Sequence, residues 1–276
     1  MKFTNPLPNK YIIIAHFKSN WKWIAGMTAS WLIAVVGILI YTVHINNASN
    51  LISIVIDDVP NSHNSISLAL KRIIQSSPIF IAAVVSSSMI ENTITQEISR
   101  GQITLWMTSS LSRNRIMYSK IMFVWLVNLL ILAPSLVPIF VYSGIAVDAN
   151  QYFGHMVLEL VGMFVFSLMF TAIFALIASL FSHSSRLVLI IQFSVIGYMF
   201  LFEVLELWGP DWTQYLQYFD IRSLLVVVLV SGTKGVINLM ETNLGWVFGA
   251  LAINIVLTSV FSYLACWIFK RKDLML

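Results

Sequence analysis

The sequence predicts an all-α polytopic membrane protein with six transmembrane helices, an N-terminal interfacial helix and a re-entrant helical element before the last span. Three observations carry this. Hydrophobic residues make up 58% of the chain and charged residues 10%, with a mean hydropathy of +0.84, whereas about a quarter of the residues in a soluble domain are charged. Six apolar stretches are each long enough to cross a bilayer core, which takes about 20 helical residues. Lysine and arginine are also divided unevenly between the connectors on the two sides of these stretches, as expected where cytoplasmic loops hold the positive charge. At 276 residues, spans and connectors fill the length and leave no room for a soluble catalytic domain.

Residues 1–23 hold Lys2 and, after Pro6 and Pro8, Lys10, Lys18 and Lys22 around Tyr11, Phe17, Trp21 and Trp23. This pattern suits an interfacial helix whose lysines reach headgroups, or equally an ordinary basic flank. Span one is 24–43. It lacks a following small-residue cleavage site and is expected to stay rather than be removed as a signal. The polar stretch 44–72, with Asp57, Asp58 and Pro60, is expected outside. Span two, 73–94, contains Pro78, a break that membrane helices tolerate when neighbours satisfy the freed carbonyl. Span three, 121–142, holds Pro134 and Pro138 and is expected to kink. Spans four (155–181) and five (187–207) are joined by a connector so short that they form a tight hairpin. The segment 208–243 includes an apolar run, 224–230, too short to cross a bilayer, and is expected to be re-entrant or external. Span six is 244–269.

Charge tests the topology. With both termini inside, the cytoplasmic side collects Lys2, Lys10, Lys18, Lys22, Arg100, Arg113, Arg115, Lys120, Arg186, Lys270, Arg271 and Lys272, which is twelve of the sixteen basic residues. Lys71, Arg72, Arg222 and Lys234 fall outside. The inverse arrangement would reverse this ratio, so both termini are expected in the cytoplasm.

The cytoplasmic segment 95–120 is the most patterned polar stretch of the chain. Gly101 is placed to end a helix in the left-handed conformation that only glycine enters without steric cost. Ile103, Trp106, Met107 and Leu111 then fall on one face of a short amphipathic helix over 102–111. Ser112 is placed as the N-cap of the next helix. Glu91 and Glu97 are expected to form an ion-pair latch with Arg100, Arg113 or Arg115.

This stretch resembles the signature of the membrane subunits of type-2 ABC transporters, the export-class permeases: an acidic residue, Gly-Thr-Leu-Glu, a leucine-rich turn, Thr-Pro-Val-Ser-Arg and a later Gly-Lys. Glu97, Gly101, Leu105, Ser109, Ser112, Arg113 and Lys120 fit the pattern, with Ser109 in the place of a threonine. Gln102 and Ser110 depart from it, replacing a threonine and a proline. The tail, Phe269, Arg271, Asp273 and Leu274, is similar to the family's ending Phe-x-Arg-Arg-Asp-Leu. The resemblance implies that residues 1–23 are an elbow helix and that Glu97, Arg100, Gly101, Gln102, Leu105, Trp106, Ser112, Arg113 and Lys120 form the coupling segment that docks on a separate cytoplasmic ABC ATPase. It further implies a homodimer or heterodimer of permeases in the plasma membrane, with ATP and Mg on the partner ATPase and no cofactor in this chain.

Other chemistry finds little support. The run SGTKG at 231–235 lacks the spacing of a phosphate-binding loop, and no HExxH or GxSxG motif occurs, so the chain is not expected to be an enzyme. Its basic residues flank spans instead of gathering on one face, which speaks against nucleic acid. Cys266 is the only cysteine, which excludes an internal disulfide. The histidines His16, His44, His63, His155 and His183 are scattered, and solvated loop residues account for His44, His63 and His155 better than a metal site does. Glu159, Glu203 and Glu206 lie within or near spans, where ionisable groups are costly and tend to mark pathways. The competing class is a stand-alone multi-pass membrane protein, either a secondary transporter or an immunity or sensor protein. Clear inverted repeats, which would favour a secondary transporter, are not evident.

Overall fold

The computed structural model describes residues 8–53, 77–108, 111–145, 153–182, 184–208 and 244–272. Every element among the described residues is helical. Helix α1 is Lys10–Ser53. Helix α2, Ser77–Ile90, runs through a π turn, Glu91–Thr95, into α3, Gln96–Ser99. The short α4 is Ile103–Met107. Helix α5, Arg113–Leu132, passes through a 3-10 turn, Ala133–Ser135, into α6, Leu136–Ile145. Helices α7, Phe153–Leu180, α8, Ser185–Trp208, and α9, Leu244–Arg271, complete the bundle.

Four helical segments among the described residues are long and apolar enough to cross a membrane: Arg113–Val141, Val161–Leu180, Ser185–Phe202 and Phe248–Arg271. They coincide with expected spans three to six. Expected span one falls within α1, and expected span two falls on α2 and the π turn, with residues 73–76 outside the described residues. The expected re-entrant element lies outside them too, apart from Trp208 at the end of α8.

Sequence and structure differ along α1. The helix crosses the expected 23/24 boundary without a break and continues past residue 43 to Ser53. The physical reason is local. Asn9 Oδ1 accepts the Tyr11 N–H at 2.9 Å and starts the helix, and no proline follows until Pro60. A change of polarity alone does not stop a helix whose backbone bonds are already satisfied internally. Where the sequence predicts a bend in span three, the α-helix gives way to the 3-10 turn Ala133–Ser135 at Pro134, and Ser135 Oγ donates to Leu132 O at 2.6 Å. The tight hairpin between α7 and α8 is closed by Ser184 N–H donating to Phe181 O at 3.0 Å.

Helix α7 is the central element, packed against α2, α5, α8 and α9. Its apolar stretch Val161–Leu180 is 61% buried, against 22% for those of α8 and α9, which form the periphery. Phe166, Phe170 and Phe174 stack along it with centroids 4.9 and 5.7 Å apart. Between helices in lipid, apolar burial gives little drive, because the tails are as apolar as leucine; close packing and buried polar contacts carry the association. Those contacts are present. Asn128 Nδ2 donates to Ser86 Oγ at 2.8 Å and to Thr171 Oγ1 at 3.2 Å, tying α5 to α2 and α7. Ser87 Oγ donates to Gln192 Oε1 at 2.8 Å, adding α8.

One end of the bundle is basic and self-capped. Arg113, at the start of α5, donates to the carbonyls of Lys270 and Lys272 at 3.4 and 2.9 Å, where α9 ends. Lys272 Nζ in turn donates to Ser179 O and Leu180 O at 3.0 and 2.8 Å, where α7 ends. Helix C-termini leave carbonyls without intrahelical partners and carry partial negative charge, so cationic side chains satisfy both demands. Asn9 N–H donates to Ser119 Oγ at 2.7 Å, which brings the start of α1 to the same end. The beginning and the end of the described chain therefore lie on one side of the bundle.

Candidate functional site

At this basic end, four segments converge on one carboxylate. Gly101 has φ +70, the left-handed conformation expected of it, and turns the chain from α3 into α4. Ile103 is buried, while Leu105 points away at 73% exposure. Trp106 folds back, its Nε1–H donating to Glu97 Oε2 at 3.0 Å. Lys120 Nζ lies 2.6 Å from the same oxygen and also donates to Thr93 O. His16 brings its Nε2 to 3.6 Å from Glu97 Oε1 and its ring to 5.3 Å from that of Phe123. Glu97 thus links α3, α4 and α5, with α1 closing over it.

The π turn makes this possible. Within Glu91–Thr95 the backbone bonds reach one residue further than in an α-helix, as when Gln96 N–H donates to Glu91 O. Such turns are rare and frequent at functional sites. Here the Thr93 carbonyl receives the lysine, and Thr93 Oγ1 itself donates to Met89 O at 2.6 Å.

The electrostatics are those of a desolvated pair. The Lys120 side chain is 1% exposed and that of Glu97 12%. A charge so placed is tolerated only with a counter-charge and further hydrogen bonds, and Glu97, Thr93 and Trp106 supply them. Burial first, and the Lys120 ammonium second, hold the His16 imidazole far below its usual range, at about 3. His16 therefore meets Glu97 as a neutral ring, and the cluster balances as one carboxylate against one ammonium.

Several expectations need correction. The latch on Glu97 closes on Lys120, while Arg113 turns instead to cap α9. Arg100 is exposed beside Gly101. Glu91 is buried and accepts from Ser185 Oγ at the start of α8, a hydroxyl in place of a guanidinium. Helix α4 ends at Met107, short of Leu111, and Thr108 Oγ1 donates to Leu105 O at 3.0 Å; Ser109 and Ser110 lie outside the described residues. Ser112 is the N-cap of α5, accepting from Arg115 N–H at 3.4 Å. Gln102, exposed, precedes α4. Glu159 belongs to α7, and Glu203 and Glu206 to α8; their side chains, like those of His44, His63 and His155, lie outside the description. Among the described residues no group of metal-binding side chains occurs.

The sequence pattern does not mark His16 and Thr93 as site residues, and it does not pair Lys120 with Glu97. A signal existed for the lysine: Lys120 shares a helical face with Ile116, Phe123 and Val124, all fully buried, and a cation on an apolar stripe requires a buried partner.

Comparison with protein-family models and with curated proteins finds no match for this chain.

Proposed function

We propose that the chain is the membrane subunit of an ATP-binding-cassette transporter, an exporter of the type-2 permease kind, working in the plasma membrane as a dimer on a separate cytoplasmic ATPase. One observation carries the reading. The single carboxylate of Glu97 holds the buried ammonium of α5 and the indole of α4 at 2.6 and 3.0 Å, so an exposed surface helix is clamped to the inner ends of two long helices. The residues that make the clamp or shape its turn, Glu97, Gly101, Ser112 and Lys120, are among those that resemble the permease signature.

A clamp of this form transmits force. Closure of an ATPase pair against Leu105, Gln102 and Arg100 would press on α4, and Trp106 would pass the displacement to Glu97. From there it divides, through Lys120 into α5 and through the π turn into α2. The π turn is the compliant part, since its wider ring can tighten by one residue. An unpartnered connector would have no need of a buried ion pair, which costs desolvation on both sides.

The test is purification of the tagged chain from native membranes in mild detergent. A copurifying protein with a phosphate-binding loop, and magnesium-dependent ATP hydrolysis by the complex, are expected. A chain that purifies alone in functional form would favour the stand-alone reading.

A further inference from the structure

We propose that the outward face of the first turns of α1 is a binding surface for anionic phospholipid headgroups. Helix α1 buries one stripe, Ile12, His16 and Ile24, along the side that packs on α5. The opposite side carries Lys10, Tyr11, Ile14, Lys18, Trp21 and Lys22, all exposed, with Tyr11 at 70% and Ile14 and Trp21 at 58%. Positions 11, 14, 18, 21 and 22 fall on one helical face. The Lys10 ammonium lies 5.3 Å from the Tyr11 ring centre and that of Lys22 6.0 Å from the Trp21 ring, so cations and rings form one surface.

Charge complementarity chooses the occupant. The sequence holds no acidic residue before Asp57, so nothing on α1 between Lys10 and Lys22 neutralises these lysines. The acids with described side chains, Glu91 and Glu97, are turned inward. A phosphodiester bearing net negative charge is therefore attracted, while a zwitterionic headgroup brings its own ammonium against the lysines. The large apolar side chains between them, on a helix that continues directly into the apolar stretch from Ile24, favour a lipid over a soluble protein: tyrosine and tryptophan settle at headgroup level with lysine reaching the phosphates. The surface shares no residue with the Glu97 cluster, and the inference stands or falls independently of the transport reading.

The test places a bimane fluorophore on Ala15→Cys, an exposed position beside this face, in a Cys266→Ala background, in phosphatidylcholine nanodiscs titrated with brominated lipid. Brominated phosphatidylglycerol is expected to quench with an affinity at least about fivefold above that of brominated phosphatidylcholine, the factor to which about 1 kcal/mol per surface lysine converts. The combined Lys10→Gln, Lys18→Gln and Lys22→Gln variant should lose that preference, and the matching Lys→Arg variant should keep it. Equal quenching by the two lipids would overturn the proposal, as would a preference that survives the glutamine variant. Equal quenching together with loss of a copurifying protein in the glutamine variant would assign the face to a protein partner instead.

Discussion

Replacing Lys120 by methionine keeps most of the length and volume of the side chain and removes its charge. In the structure, Lys120 supplies the ammonium 2.6 Å from Glu97 and the donor to Thr93 O. Methionine leaves Glu97 with the Trp106 indole as its remaining close donor, and leaves a π-turn carbonyl without its lysine. Removing one member of a buried pair typically costs about 3–5 kcal/mol. Neutral polar contacts between membrane helices average about 0.6 kcal/mol, so the two mechanisms are well separated in size. Glu97→Gln should be at least as damaging, because it strands the ammonium at 1% exposure. The double variant Glu97→Gln/Lys120→Met removes both charges and should recover a good part of the loss, for a coupling of about 2 kcal/mol or more in a double-mutant cycle. Equilibrium unfolding in mixed micelles, followed by helical circular dichroism, measures all four corners. Additive single effects, with a coupling below about 0.5 kcal/mol, would refute the clamp as an energetic unit.

Gly101→Val places a β-branched residue at φ +70 at a cost of order 1 kcal/mol or more. No neighbouring atom obstructs the new Cβ, so the chain should insert normally while ATPase copurification falls; unchanged copurification would contradict this. Arg113→Glu should destabilise the bundle as well as alter a surface charge, by about 1–3 kcal/mol, because it withdraws a charged donor from the carbonyls of Lys270 and Lys272 and puts negative charge at a helix C-terminus; unfolding measurements that match the parent would count against the cap. For His16 the folded value of about 3 lies below the ordinary 6.5, so the unfolded chain binds the extra proton. The His16 contribution to stability should be flat above pH 6.5 and fall by about 1.4 kcal/mol per pH unit as pH drops toward 3. In His16→Gln this slope should shrink by that single-proton amount, and an identical pH profile would show that His16 does not titrate as described.

Much of the scaffold was legible because its causes are local. Gly101 and Ser112 were recognisable from conformational freedom and capping chemistry, and Pro134 from the donor that it lacks. The hairpin at residues 181–184 follows from having too few residues for any other path. The site was less legible because its causes are tertiary. Nothing in Glu91–Thr95 itself asks for a π turn; the carbonyl of Thr93 is satisfied by a lysine 27 positions further along. Arg113 looked like a surface contact for Glu97, yet the end of α9 offers carbonyls that the linear pattern does not place beside it. Lys120 could have been recognised as buried from the apolar residues on its helical face, whereas the approach of His16 depends on how α1 lies over α5. The unbroken α1 shows the converse limit: polarity marked a boundary at residue 23 where the backbone has none.

The central claim, that α4 is the surface on which an ATPase pushes, is tested most directly at Leu105, the most exposed large hydrophobic residue in the described chain. A photo-crosslinking amino acid at this position, activated in native membranes, should yield one predominant adduct with a cytoplasmic protein that contains a phosphate-binding loop. The same probe at Ile253, on the exposed apolar side of α9, should yield none. Leu105 adducts confined to lipid, or the same protein captured equally from both positions, would contradict the account.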